Sequence, residues 1–189
     1  MSELISTTVS AEIKTSASEG LLLSHPPVSL KTSRSAPAST DLLINQPLDP
    51  QAQFSMAILR LLEVEPIDDG YSHPAEEVME NALKKDKTLT SAWIEGIYLE
   101  NFKRPAMATG ILRCVGRLKN SLVESSGRNM ARRGLSHPDV EVREAAIRAL
   151  ETWGGQESVE TLKAFIDNEP VFWLKNYLTQ VITDLSKWH

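Results

Sequence analysis

The residues of this 189-residue chain with the most chemistry to offer are four histidines, one cysteine and a run of arginines. Three histidines sit in the same triplet, Ser-His-Pro, within "LLSHPPV" (22–28), "GYSHPAEE" (70–77) and "GLSHPDVE" (134–141). Such a set is a dispersed metal site, a repeat marker or helix punctuation. A metal site needs converging ligands, usually with cysteine or carboxylate at matching spacing. The triplets are unequally spaced, so they do not mark one repeat. His73 and His137 each precede a predicted helix, where proline in the first turn gives up an N–H that would be unpaired anyway. Small polar residues before it can cap the exposed amides. Glu76 follows His73 by three residues, and Asp139 is placed to cap a helix beginning at Val140. Punctuation is therefore the expectation, with no metal. His25 falls in a Ser/Thr/Pro-rich stretch, and His189 is the last residue.

The single cysteine, Cys114, lies in "GILRCVGRL" on the apolar side of a predicted helix. A buried, inert thiol is expected there rather than a nucleophile. One cysteine allows no intramolecular disulfide, which fits a reducing compartment. The chain contains no Gly-rich phosphate loop, GxSxG, HExxH or CxxC. Carboxylate pairs such as Glu76/Glu80 and Glu141/Glu144 have helix-surface spacing, with Lys84 and Arg148 placed for ordinary ion pairs. Neither catalysis nor a cofactor is expected.

The arginines are unevenly distributed. Residues 103–133 hold eight Lys/Arg against one acid, Glu124, whereas the rest of the chain holds twelve basic against twenty-four acidic residues. Arg113 and Arg117 are four apart on one predicted helix, and Arg128 and Arg132, followed by Arg133, on the next. Antiparallel packing would let the two stripes form one patch. Three readings are open. The arginines pair with acidic helices beside them (Glu76, Glu77, Glu80, Glu141, Glu144), they hold an acidic protein or peptide, or they bind nucleic-acid backbone. Guanidinium forks bind carboxylate and phosphate bidentately. Against the nucleic-acid reading stand the net charge of −5 and the absence of aromatics within 103–133 to stack on bases.

These residues need a scaffold, and its outline is legible. Residues 1–50 carry fifteen Ser/Thr, five of the ten prolines and none of the eleven aromatics. A segment with so little to bury is expected to be disordered, although "STTVSAEIKTS" alternates like an edge strand. From residue 51 the apolar period becomes helical. Phe54, Ala57, Ile58, Leu61 and Leu62 form one stripe, and Val78, Met79, Ala82 and Leu83 another. "TLTSAWIEGIYLENF" is apolar nearly all round, as a central helix should be. "PAMATGILRCVGRL", "SLVESSGRNMARRGL", "DVEVREAAIRALETW", "QESVETLKAFID" and "VFWLKNYLTQVITDLSKW" follow, giving about eight helices and an all-α fold. No run approaches the roughly 18 apolar residues of a membrane span. No signal or transit peptide is apparent, so a cytoplasmic location is expected.

The segment 135–153, "LSHPDVEVREAAIRALETW", carries a Pro138-Asp139 turn followed by Val142, Arg143, Ala145, Ala146, Ala149 and Leu150. It resembles a HEAT repeat, whose signature is a Pro/Asp turn and then Val-Arg-x-x-Ala-x-x-Ala-Leu. The unit covers about 121–153. Weaker copies place Trp173 and Val181 at the Val142 and Leu150 positions 31 residues on, and Met107 and Val115 there 35 residues upstream. Neither copy has an Arg143 equivalent, and Tyr177 replaces a small residue. The resemblance implies a short HEAT-like solenoid of three to four hairpins over 51–189: an atypical N-terminal cap (51–86), then hairpins 88–118, 121–153 and 156–187. It also implies a protein-interaction scaffold, such as an adaptor, small inhibitor or complex subunit. The expected partner-binding residues are Arg113, Arg117, Arg128, Arg132, Arg133 and Trp173, with Trp153 and Phe172 as further anchors if exposed. The rival from another class is a HEAT-like DNA-modifying enzyme such as a glycosylase, which would set Glu95 or Glu124 and Trp93 in a cleft beside the arginines.

Overall fold

The computed structural model describes residues 49–67 and 70–187, apart from the Glu124 side chain. Residues 1–48, which hold the alternating "STTVSAEIKTS", His25 and all but two residues of the segment expected to be disordered, lie outside the described residues, as does His189. The described residues are all-α: α1 (Pro50–Val64), α2 (Pro74–Lys85), α3 (Lys87–Glu100), α4 (Pro105–Arg117), α5 (Asn120–Leu135), α6 (Val140–Trp153), α7 (Gly155–Phe165) and α8 (Phe172–Ser186), with a 3-10 turn at Ile166–Asn168. All belong to the unit Gln46–His189. None is long and apolar enough to cross a membrane.

Local chemistry sets the boundaries. Pro50, Pro74 and Pro105 occupy first-turn positions of α1, α2 and α4. Asp86 accepts the Leu89 N–H and Asp139 accepts the Glu141 N–H, capping α3 and α6. Helix α2 has Glu76 and Glu77 in its first turn and Lys84 and Lys85 in its last, which suits the helix dipole.

The two Ser-His-Pro turns in the described residues share one geometry. His73 Nδ1 accepts the Ala75 N–H at 3.1 Å, and its Nε2–H donates to Glu65 O at 3.2 Å. His137 Nδ1 accepts the Asp139 N–H at 3.0 Å, and its Nε2–H donates to Phe102 O at 2.8 Å. Each buried imidazole thus caps the turn it begins and ties it to a carbonyl just beyond an earlier helix, α1 or α3. Punctuation is correct, and it reaches further than the local sequence indicates.

The helices pack in chain order. Each touches the next in α1–α2, α2–α3, α3–α4, α4–α5, α5–α6, α6–α7 and α7–α8, and α1–α3, α2–α4, α3–α5, α4–α6 and α6–α8 also meet. Helix α6 is central and buries Val142, Ala145, Ala146, Ile147, Ala149 and Leu150. Its alanines permit unusually close approach. A Cβ on Gly116 of α4 would lie 2.8 Å from Ala149 Cβ and 2.9 Å from Ala149 Cα. One on Gly134 of α5 would lie 2.9 Å from Ala146 Cβ.

Helix α6 also carries the buried ion pair. Arg143 Nε and Nη2 donate to the two Glu169 carboxylate oxygens at 2.8 and 3.0 Å. Its Nη1 donates to the His137 and Pro138 carbonyls, and Glu169 accepts the Val171 N–H. Both side chains are nearly inaccessible, at 6% and 0%. The pair fastens the turn before α6 to the turn before α8.

Three stability outcomes follow in urea unfolding. Glu169→Ala strands a buried guanidinium and should cost about 3–5 kcal/mol; a loss under about 1 kcal/mol would mean that water reaches Arg143. Gly116→Ala should destabilise by about 1–3 kcal/mol through overpacking. Gly96→Ala, where nothing lies within 4 Å of the added Cβ, should instead stabilise by about 0.5–1 kcal/mol.

Candidate functional site

The arginines separate into two settings. Arg117 reaches back across the chain, with Nη1 donating to Tyr71 O at 2.8 Å and to Glu76 Oε1 at 2.9 Å. Arg128 is turned toward α7, where it bonds Ser158 Oγ at 2.9 Å and pairs with Glu157 at 3.3 Å. Both are largely covered. Pairing with Glu76 agrees with the first sequence reading. Glu157 is a partner the sequence did not suggest, because nothing local ties it to a helix 29 residues earlier.

Arg132 and Arg133 are exposed in the last turn of α5. Arg132 has only a 3.8 Å approach to Glu157, with both side chains 58% exposed. Arg133 forms no ion pair among the described residues. Both line an open hollow of about 660 Å³ with Leu99, Phe102, Asn129 and Ser136. That volume falls in the range of ligand pockets. Leu99 is exposed and Phe102 half-buried, so one wall is apolar. A second hollow shares Arg132 and Ser136 and runs on beside Glu160 and Phe165 of α7. A third shares Phe102 and has Lys103 and Asp139 on its rim. The result is one grooved face at the end of α5.

Arg113 and Arg117 line a different, smaller hollow between α4 and α6, together with Arg148. Arg113 and Arg117 therefore open on a different hollow from Arg132 and Arg133, and Arg128 lines neither. Trp173 is 50% exposed and Phe172 78%, both at the start of α8, and neither lines these hollows. Trp153 is part of the packing: its Nε1–H donates to Leu118 O at 3.2 Å. Trp93 packs against Phe54, with ring centroids 5.7 Å apart, and neither it nor Glu95 lines the arginine hollows. No group of three His, Cys, Asp or Glu among the described residues could hold a metal ion.

Cys114 is fully buried, with its sulfur 3.9 Å from His73 Nδ1. Burial pushes its thiol up to about 12, the Glu76 carboxylate adds to the rise, and Arg117 opposes it. Arg132 and Arg133 stand out in the sequence, but the apolar wall that Leu99 and Phe102 set beside them does not. "YLENF" and "ARRGL" lie on different helices, and only packing sets them side by side. Compared with known proteins, the chain matches no family model, no curated protein and no solved structure.

The thiol makes a checkable statement. Because the folded state keeps its proton above the ordinary cysteine value of 9.0, the unfolded chain binds fewer protons there and stability should fall as pH rises past about 9. Cys114→Ala should flatten that fall. Native protein at pH 8 should also resist iodoacetamide until denatured, and rapid native alkylation would refute the burial.

Proposed function

We propose that this chain is a non-catalytic protein-interaction module of HEAT-like helical hairpins, serving as an adaptor, small inhibitor or complex subunit. Its groove between the ends of α3 and α5 would hold an acidic segment of another protein. The observation that carries this reading is the contrast between the arginines. Arg117 and Arg128 are committed to Glu76 and Glu157, whereas Arg132 and Arg133 stand exposed over a large hollow with an apolar wall. Adjacent guanidiniums suit carboxylates, and Leu99 and Phe102 suit one apolar side chain flanked by them. The stacking order, in which helices meet both their next and next-but-one neighbours, supports the helical-hairpin reading. The carboxylates of Glu157 and Glu160 beside the groove weigh against nucleic-acid backbone.

The test is affinity purification with the wild type and an Arg132→Glu/Arg133→Glu variant of matched circular dichroism. The captured partner is then titrated against both. Binding should weaken at least ~10-fold in the variant and be indifferent to nuclease. Equal binding by both would remove the groove from the reading. Capture that disappears with nuclease, and falls steeply with salt, would replace the protein partner with nucleic acid.

A further inference from the structure

The hollow between α4 and α6 is separate from the groove and has a different character. It is small, about 150 Å³, and it opens where Gly116, Ala145 and Ala149 bring the two helices together. Arg113 and Arg117 flank it from α4 and Arg148 from α6. Two of these guanidiniums have carboxylate partners: Arg117 holds Glu76, and Arg148 holds Glu144 at 2.9 Å. Glu151 also lines the hollow, and its carboxylate accepts the Tyr177 hydroxyl. Arg113 differs. It forms no ion pair among the described residues, and its Nε–H is buried without an acceptor. Buried donors on charged groups are rarely left without a partner, and such exceptions point to a water or an ion.

We propose that this hollow is a tetrahedral-oxyanion site of the phosphate type, with Arg113 as the direct ligand and Arg117 and Arg148 adding positive charge. A water would answer the Nε–H, but the lining would still set three guanidiniums against the single Glu151 carboxylate. A planar carboxylate is satisfied by a single guanidinium fork, whereas positive groups on two facing helices surround an anion from both sides, as a tetrahedral oxyanion requires. The small volume excludes a peptide backbone but admits a phosphoryl group, since a water occupies about 30 Å³. The phosphoryl group would be inorganic phosphate or the phosphate of a phosphorylated side chain.

The experiment is a nuclear magnetic resonance titration of the full chain with inorganic phosphate. It follows the Arg113 Nε–H and the Gly116 and Ala149 amides. Chloride at matched ionic strength and acetate are the controls. Saturable shifts with a Kd in the millimolar range or tighter are expected with phosphate alone. They should weaken at least ~10-fold in Arg113→Gln and in Arg113→Lys, which keeps the charge but loses Nε. Arg132→Glu should leave them unchanged, so failure here and failure of the groove are distinguishable. A phosphoserine peptide saturating the same signals at lower concentration would assign the phosphate to a modified partner, and response to inorganic phosphate alone would assign it to the free ion. No saturation beyond chloride, equal saturation by acetate, or undiminished shifts in both Arg113 variants would overturn the proposal.

Discussion

The close approach of α6 to α4 is the constraint on which the remaining geometry depends. Gly116 and Ala149 meet with no room for another methyl group, and Gly134 meets Ala146 on the α5 side. Packing at this distance leaves little freedom for sliding, because protein interiors tolerate neither overlap nor voids. It fixes Arg143 on α6 against Glu169, since a helix displaced by a fraction of a turn would break the bidentate contact. It also decides that Arg113, Arg117 and Arg148 surround one hollow.

The buried polar groups show how turns are held between helices that bury mainly aliphatic side chains. His73, His137 and Arg143 all bond backbone carbonyls, which are plentiful at helix ends and otherwise lack partners. Each fixes a turn against a distant part of the chain. Burying a charge such as Arg143 is costly in isolation, and the structure meets that cost by giving Nε, Nη1 and Nη2 acceptors. Imidazole suits its two places because one ring nitrogen accepts while the other donates.

The basic run shows why charge counts alone do not locate a surface. Of the positions that stand out in the sequence, Arg117 and Arg128 contribute to the structure through partners on α2 and α7. Arg132 and Arg133 remain exposed on the grooved face, and Arg113 forms no ion pair among the described residues. The proposed binding role therefore rests on what neighbours leave exposed, not on where arginines are frequent.

The sequence by itself determined the all-α class, helix boundaries to within about two residues, the capping by Asp139 and the burial of Cys114. These depend on short-range patterns: apolar spacing at 3.6 residues, proline's missing N–H and side chains that reach amides two or three residues away. It also marked 135–153 as the segment with small residues at helix-contact spacing, and Ala145, Ala146 and Ala149 do make that contact. Only the tertiary structure decided the rest. Glu169 is the partner of Arg143 and Glu157 that of Arg128, while Phe102 O accepts a hydrogen bond from His137 Nε2–H. Arg113 and Arg117 open on one hollow and Arg132 and Arg133 on another. Those outcomes depend on how helices tens of residues apart are rotated about their axes. A helix's sequence gives the order of its side chains around the axis, but the rotation that aims each at a neighbour is set by the packing of all the helices together.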